Sequence, residues 1–421
     1  MTGWRRMGRS SREQPPAGSE VATTFLRWTA IRAVCHRGHV LVSSLYFVLD
    51  AHLSASQLLL LGSVVAATMV LADVPTGIWA DTVSRKWPIV IGHLFLGAGM
   101  VMLGLVTAFP LLVATQVLWG VGWAFSSGAD VAWVTDELDQ PDRIDSVLTV
   151  RARWDLIGQA TGMVAFGLLA WAAGLATAIV ISGLAMGLLG LYVAARFSET
   201  HFSPTREQRW RVSWSLLRRG VALARRDGEI RLVFAATLLV SGAGVISWLF
   251  PQRLIALGFP SNPLLWYTAL GIVALAAGAM ALRVIEERIE GLGVARRIYA
   301  LSCAVGVLGL VVLAVAPNAL VGSVGVLLWG GIASNVLRAV GVIWVNRRTT
   351  SDVRATVHSF LSQADMAGKG LGGVALAFLA QVVSSAAALL AAGALVAVAG
   401  ALVAGFRVDR APSVAIGVGE V

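Results

Sequence analysis

The stretch Gly77-Ile-Trp-Ala-Asp81-Thr-Val-Ser-Arg85-Lys86 decides how this chain is interpreted. It is a short charged segment between two apolar runs, Leu58–Trp79 and Trp87–Ala108. Each run is about long enough to cross a bilayer, which takes roughly 20 residues of helix. Because the connection is short, the two helices are expected to be antiparallel neighbours. The glycine, the aspartate and the two basic residues then lie together at one membrane face.

The whole chain has the composition of a membrane protein. Of its 421 residues, 57% are hydrophobic and 13% are charged, whereas soluble proteins carry about 25% charged residues. The mean hydropathy is +0.77. Apolar runs recur along the whole length and predict an all-α membrane protein. The twelve predicted spans lie near residues 31–50, 58–80, 88–108, 111–134, 152–172, 175–196, 232–251, 264–285, 298–316, 320–345, 357–382 and 385–406.

The net charge of +10 is distributed unevenly between the predicted loops. With twelve spans, arginine and lysine collect in the loops on the side of the two termini, and the opposite side shows only Arg253. The positive-inside rule therefore places both termini and the Gly77–Lys86 segment in the cytoplasm. The basic excess indicates topology in the cytoplasmic membrane, with contact to the lipid bilayer, and not binding of nucleic acid. Lysine occurs only twice, which fits a GC-rich bacterial genome.

The two halves of the chain repeat each other. Asp155-Leu-Ile-Gly158-Gln-Ala-Thr-Gly162 recurs as Asp365-Met-Ala-Gly368-Lys-Gly-Leu-Gly372, and Leu118-Trp119-Gly120 recurs as Leu328-Trp329-Gly330, each 210 residues later. The longest polar connector lies between the halves. The predicted organisation is a cytoplasmic tail (1–30), a six-helix bundle (31–196), a cytoplasmic linker (197–231), a second six-helix bundle (232–406) and a cytoplasmic tail (407–421).

The pattern of the Gly77–Lys86 segment resembles the signature loop of the major facilitator superfamily, whose members are secondary transporters. Bacterial drug and metabolite efflux members are the nearest in appearance. The resemblance implies two pseudo-symmetric six-helix bundles, a substrate site near mid-bilayer between them, and transport by rocking. It also implies that Gly77, Asp81, Arg85 and Lys86 form a cytoplasmic latch that switches partners. Alternatively, the loop only sets topology and turn geometry.

Two aspartates occupy matching positions in the fifth and eleventh spans. Asp155 and Asp365 are predicted about two helical turns from the cytoplasmic end, and each is followed by glycines that permit close helix approach. They are candidate gate residues, with Lys369 as a partner on the same helix face as Asp365. The alternative is a static, paired acid that fixes helix packing.

Asp73 lies inside the second span, two residues before Pro75. A carboxylate in lipid costs at least about 2.5 kcal/mol, so an intramembrane acid is a candidate for substrate or proton binding. Pro75 removes a backbone hydrogen bond and is expected to bend the helix, which would turn Asp73 inward. The alternative places Asp73 near the wet interface.

The fourth span contains Gln116-Val-Leu-Trp-Gly120-Val-Gly122. It is similar to the family motif Arg-x-x-Gln-Gly-x-Gly, which is associated with proton coupling, but Gln116 stands where the family has arginine. A neutral amide does not influence a neighbouring acid as a fixed cation does. Asp130, deeper in the same span, is a candidate for holding a proton or a cationic substrate. Pairing with an arginine of another span is the structural alternative.

Further polar residues lie in the first and tenth spans. His36, Arg37 and His39 are candidates for binding an anion or relaying protons, and the alternative is that they reach the cytoplasmic interface. Arg338 needs a partner within the membrane, and Asp365 is proposed for it. Asn335 is predicted on the same face as Arg338.

No enzyme motif, metal site or phosphate-binding loop is found in the sequence. Cys35 and Cys303 fall in apolar spans and predict neither a disulfide nor a metal site. No cofactor is expected. The predicted function is secondary active transport of a small molecule by a monomer, foremost proton-coupled efflux of amphipathic compounds. A carrier of a specific polar metabolite, and a facilitator-like sensor or scaffold that transports nothing, are the alternatives.

Overall fold

The computed structural model describes residues 17–204, 227–259, 262–286, 288–289, 291–349 and 351–406. Twelve helices follow one another in these ranges. Each number stands for one span, and α4, α7 and α10 each comprise more than one helical segment. The predicted all-α architecture is confirmed for this part of the chain. The helices are α1 (Ala17–Leu49), α2 (Ala55–Thr82), α3 (Lys86–Leu103), α4 (Phe109–Leu138), α5 (Pro141–Ala173), α6 (Leu175–Arg196), α7 (Gly228–Ala256), α8 (Pro263–Glu286), α9 (Leu292–Val315), α10 (Ala319–Arg348), α11 (Ser351–Val382) and α12 (Ser385–Gly405).

Ten of these helices are long and apolar enough to cross a membrane by length and composition alone. The other two are α1 and α11, which carry more charged and polar residues. Two helices are irregular. α4 is interrupted at Ser127 and Gly128, where Gly128 has φ +78°. α10 contains a π-helical segment, Leu327–Ala333, and such segments are frequent at functional sites.

The prediction of a polar tail over residues 1–30 is wrong in its second half, because α1 begins at Ala17. Phe25 and Trp28 are fully buried there, and burial of aromatic rings stabilises the extra turns despite the neighbouring arginines. The predicted start of the fifth span near residue 152 is likewise too late, since α5 begins at Pro141. The remaining tails, 1–16 and 407–421, and linker residues 205–226 lie outside the described residues.

The sequence repeat is visible in the helix boundaries and in the helix crossings. α10, α11 and α12 begin at Ala319, Ser351 and Ser385, each 210 residues after α4, α5 and α6 at Phe109, Pro141 and Leu175. The crossings repeat as well. A Cβ added to Gly162 would overlap the Val34 backbone of α1, and one added to Gly372 would overlap the Gly242 backbone of α7. Both halves therefore use glycine to bring two helices into backbone contact.

The first compact unit comprises Met1–His52 and Thr68–Trp210. Its core is an aromatic cluster at the end of the unit that carries the α2–α3 loop. The rings of Trp133 and Phe197 stack with centroids 3.9 Å apart, and Phe25 and Trp28 stack at 5.6 Å. Because α1, α4 and the segment after α6 all contribute rings, this cluster fixes the ends of three chain segments together.

The second compact unit comprises Leu53–Ala67 and Arg211–Val421. This division differs from the predicted bundle boundaries, because the first turns of α2 group with the second unit. Ser56 Oγ donates to Gln381 Oε1 at 2.6 Å, and Gln252 Nε2 donates to the Leu53 carbonyl at 3.1 Å. These hydrogen bonds explain the assignment of Leu53–Ala67.

Candidate functional site

The predicted latch segment is more helical than its sequence indicates. α2 continues to Thr82, and only Val83–Arg85 form the connection to α3. Asp81 and Arg85 form an ion pair four residues apart, and Arg85 Nε also lies 3.3 Å from Asp136 Oδ2 of α4. The Arg85 guanidinium is thus shared between two carboxylates on two helices.

Two glutamates that the sequence analysis did not single out hold the neighbouring chain. Glu199 accepts hydrogen bonds from Ser84 Oγ (2.7 Å) and from the backbone N–H groups of Arg85 (2.5 Å) and Lys86 (3.2 Å) at the start of α3. Glu137 accepts from Ser198 Oγ (3.0 Å), Thr200 N–H (2.6 Å), Thr200 Oγ1 (2.8 Å) and His201 N–H (2.8 Å). A carboxylate at a helix N-terminus is favoured by the helix dipole. We call the segment Phe197–His201 the clasp: Glu137 binds it, and its own Glu199 binds the start of α3.

Gly77 lies inside α2, and a Cβ added there would meet no atom within 4 Å. We expect Gly77→Ala to leave the unfolding free energy unchanged or to raise it by up to about 1 kcal/mol, because alanine is the better helix former. If Gly77 serves the latch, the same variant slows transport, because the added methyl group blocks the closer approach of a neighbouring segment to α2 in another conformation. Thermal unfolding in detergent and flux into vesicles measure the two effects. Unchanged flux would show that Gly77 is dispensable.

A buried ion cluster joins α1, α4 and α5 in the first unit. Asp130 is 4% exposed, and its Oδ2 lies 2.5 Å from Arg151 NH2 and 3.8 Å from Arg32 NH1. The predicted alternative for Asp130, pairing with an arginine of another span, is therefore what the structure shows. Arg32 and Arg151 were not predicted as site residues, because partners far apart in sequence leave no local pattern.

Aromatic rings surround this cluster. The Arg32 guanidinium carbon lies 5.2 Å from the ring centre of Trp28 and 4.9 Å from that of Trp123. The ring of His36 lies 4.9 Å from Trp123 and 5.3 Å from Trp119. Cation–π attraction of this kind is worth about 0.5–2 kcal/mol. We call Arg32, Asp130 and Arg151, with the rings of Trp28 and Trp123, the Arg32 cluster.

The first-span histidines and Arg37 do not lie at the end of their helix. Because α1 begins at Ala17, these residues lie well inside it and not near its first residue as predicted. His39 is buried, its ring stacks on Trp119 at 4.9 Å, and its Nδ1 lies 3.2 Å from Ser182 Oγ. Arg37 is half-buried.

The other predicted residues of the first unit have local contacts. Gln116 is buried and donates to Thr115 Oγ1 at 3.1 Å on its own helix. Asp155 accepts from Gln159 Nε2 at 2.6 Å. It lies farther from the start of its helix than predicted, since α5 begins at Pro141. Asp73 is half-buried in a helix that continues through Pro75.

The second unit has its own intramembrane acid. Asp365 lies 2.7 Å from Lys369 Nζ and accepts from Ser241 Oγ of α7 at 2.5 Å. Arg338 is exposed, and its charge acts on the Asp365 carboxylate. Like Asp155, Asp365 lies more than the predicted two turns into its helix, because α11 begins at Ser351.

Asn335 binds the backbone of its own helix. Its Nδ2 donates to the carbonyls of Gly330 (3.2 Å) and Gly331 (2.8 Å), which belong to the π-helical segment of α10. The amide therefore supplies hydrogen bonds to backbone carbonyls where the α-helical pattern is interrupted. Asn335 and Arg338 lie three residues apart on one helix.

A second charged cluster joins the starts of α7 and α9 to the end of α10. Glu229 is 4% exposed, and its carboxylate lies 2.6 Å from Arg296 NH2 and 3.5 Å from Arg348 Nε. Trp344 Nε1 donates to the same carboxylate at 3.3 Å. The basic residues of this region contribute to the predicted topology, whereas their buried acid was not predicted. Across the described ranges, no three His, Cys, Asp or Glu side chains form a group suited to a metal ion.

Comparison with known families gives this geometry a context. A sequence model described as Major Facilitator Superfamily matches residues 33–335, which is more than half of the chain. The chain belongs to the major facilitator superfamily. It is therefore a multi-pass membrane transporter and not an enzyme. No curated protein matches the sequence of this facilitator.

Several solved transporters share the fold of this facilitator. The nucleoside transporter NupG superposes with a TM-score of 0.75 at 13% identity, over 91% of this chain and 98% of NupG. A bacterial homolog of the human lysosomal transporter Spinster gives 0.69 at 14%, over 93% and 97%. The human organic anion transporter MFSD10 gives 0.61 at 16%, over 93% and 100%. These superpositions establish the fold of the facilitator, and identities this low leave its substrate open.

Proposed function

We propose that this facilitator is a secondary active transporter that exports small amphipathic molecules by alternating access, driven by protons. We place it in a cytoplasmic membrane, with both termini in the cytoplasm. The observation that supports an amphipathic cargo is the Arg32 cluster, in which charged groups and indole rings lie side by side within apolar spans. Such a surface offers an aromatic wall and a polar contact to one molecule.

The latch supports the alternating-access part of the proposal. Arg85 lies between Asp81 and Asp136, and the clasp holds the start of α3 beside it. An arginine shared by two carboxylates can strengthen one pairing as the other opens, so each pairing stabilises one conformation. Asp155, Asp365 and Lys369 are proposed to contribute to the same gating, and Asp73, His36 and His39 remain proposed sites for the coupled proton.

A carrier of a specific polar metabolite is the second candidate. The ion pairs Asp130–Arg151 and Asp365–Lys369 favour it, because paired charges inside a membrane suit the recognition of a polar solute. The nucleoside and peptide transporters of similar fold are precedents for such cargo.

Transport by purified protein in sealed vesicles tests both candidates. A panel of amphipathic compounds, nucleosides and short peptides is offered with and without an imposed pH gradient. We expect uptake of amphipathic compounds, accelerated when protons flow down their gradient in the opposite direction. Transport of polar compounds alone would favour the second candidate, flux insensitive to the gradient would remove proton coupling, and no flux for any compound would refute the export proposal.

We expect Asp81→Asn to slow transport by about tenfold while leaving substrate affinity nearly unchanged. The amide keeps the shape of the side chain but loses the charge that holds Arg85, so Arg85 shifts toward Asp136 and one conformation loses stabilisation of about 1.4 kcal/mol. Initial flux rates and equilibrium binding of the same compound give the comparison. Exposed Asp142→Asn serves as the control. Equal loss of flux and binding would indicate that the segment only supports folding.

A further inference from the structure

Arg32 has hydrogen-bonding capacity that the described part of the chain does not use. Its guanidinium carries five N–H donors, yet the nearest carboxylate oxygen, Asp130 Oδ2, lies 3.8 Å from NH1, beyond hydrogen-bonding distance. Arg151 already binds that oxygen at 2.5 Å. No hydrogen bond from the Arg32 side chain to a described residue is present, and its nitrogens are not sealed from the surroundings, since the side chain is 16% exposed.

The surroundings of Arg32 fix the orientation of its guanidinium. The indole rings of Trp28 and Trp123 lie 5.2 and 4.9 Å from the guanidinium carbon. Stacking on indole lowers the freedom of the side chain without using its N–H groups. The planar guanidinium is thus held in place with its donors open, and this arrangement suits bidentate binding of a carboxylate or a phosphate.

We infer that Arg32 is a substrate-recognition residue and that the cargo of this transporter is an organic anion, whose carboxylate or phosphate binds Arg32 and whose apolar part packs on Trp123. The inference rests on the proposed function and specifies its substrate class. It also assigns Arg151 a different role from that of Arg32. Arg151 neutralises Asp130, so Asp130 does not repel the incoming anion.

Among the described acids, Asp155 also acts on the site. Its carboxylate acts electrostatically on Arg32, and therefore competes with an anionic ligand. Removal of this charge by Asp155→Asn should tighten anion binding, whereas removal of the Arg32 charge should weaken it. A general loss of structure would not produce opposite effects on anion affinity from these two substitutions.

The test is calorimetric binding to the full-length protein in phosphatidylcholine nanodiscs, with four ligands that share one ring system. They are 2-naphthoate, 2-naphthyl phosphate, the neutral 2-naphthalenemethanol and the cation 2-naphthylmethylammonium. We expect only the two anions to bind. Arg32→Gln should weaken their binding by at least about tenfold, which corresponds to one hydrogen bond to a charged group. Arg32→Lys, which keeps the charge but loses the planar donors, should also weaken binding.

Control variants keep the interpretation unambiguous. Arg143→Gln removes an exposed guanidinium that binds only Gln140 at 2.9 Å among the described residues, and it should leave the affinity for 2-naphthoate unchanged. Asp155→Asn should raise that affinity and does not remove Arg32, so it remains informative even if Arg32→Gln fails to fold. Equal binding of the alcohol and the carboxylate, or weaker anion binding in Asp155→Asn, would overturn the inference.

A lipid phosphate shares the chemistry of the proposed cargo, and a second set of nanodiscs distinguishes the two sources. If the nanodiscs contain phosphatidylglycerol and 2-naphthoate still binds, Arg32 recognises a soluble anion as inferred. The site holds a lipid, and the inference is wrong, if 2-naphthoate never binds and the protein retains less phosphatidylglycerol after Arg32→Gln but not after Arg143→Gln. Anion binding without flux in vesicles would refute the proposed transport function alone, and flux of neutral compounds without anion binding would refute this inference alone.

Discussion

Replacing Gly372 by alanine is expected to destabilise the second unit by about 3 kcal/mol, at the upper end of the usual cost of overpacking. The added Cβ would lie 2.6 Å from the Gly242 carbonyl oxygen and closer still to its Cα. Both contacts are with backbone atoms, so no side chain can rotate away. α7 and α11 would have to separate along the crossing. Thermal unfolding of the purified protein in detergent measures the loss.

Gly370→Ala is the matched control for this substitution. Gly370 lies two residues earlier on α11, and a Cβ added there meets no atom within 4 Å. The chemical change and the helix are the same, so a difference in stability between the variants reports the α7–α11 crossing alone. The repeat provides a second test, because a Cβ on Gly162 would lie 2.9 Å from the Val34 carbonyl carbon and should cost a similar amount. Equal stability of Gly372→Ala and Gly370→Ala would contradict the crossing geometry.

Separate neutralisation of Asp130 and Arg151 is expected to be at least as damaging. The Asp130 carboxylate is buried and the Arg151 side chain is partly exposed, with 2.5 Å between their charged groups. Removal of one partner of such a pair costs about 3 kcal/mol, the lower end for buried pairs, because it leaves an uncompensated charge. For Arg151→Gln the full cost is expected. Asp130→Asn leaves both Arg151 and Arg32 without their acid, so it should cost at least as much.

The double variant Asp130→Asn/Arg151→Gln completes the cycle. Since both charges of the pair are gone, its unfolding free energy should recover toward that of the wild type. The interaction energy is then the difference between the double loss and the sum of the single losses. Unfolding by denaturant, followed by tryptophan fluorescence, supplies the four values. Simple additivity would mean that the two side chains do not interact in the folded protein.

The spans were predictable because lipid forces a strong pattern on the sequence. Twelve apolar runs predict twelve helices, and the 210-residue repeat reappears in helix starts and in glycine crossings. The starts of α1 and α5 were missed for the same reason in reverse. Arg27 and Arg32, or Arg151 and Arg153, interrupt the apolar signal. In α1, burial of Phe25 and Trp28 stabilises the extra turns, whereas most residues in the first turns of α5 are exposed.

The candidate sites were predictable only where partners are close in sequence. Asp81 with Arg85 and Asp365 with Lys369 are four residues apart, which is the spacing of neighbours on a helix face. The contact of Arg32 with Asp130, and that of Glu229 with Arg296, depends on tertiary packing that no local spacing encodes. The same limit hid Glu137 and Glu199, whose partners are backbone N–H groups without a residue signature.

The clasp has a consequence for how a chain of this kind could arise. The last segment of the first half is already bound to Glu137 and to the start of α3 before residue 205. The second half begins with its own N-cap, since Asp227 accepts from the N–H groups of Glu229 and Ile230. The described segments on both sides of the junction thus have hydrogen-bond partners within their own half. Fusion of two half-length copies would therefore need only a connecting segment between chain ends that are already held.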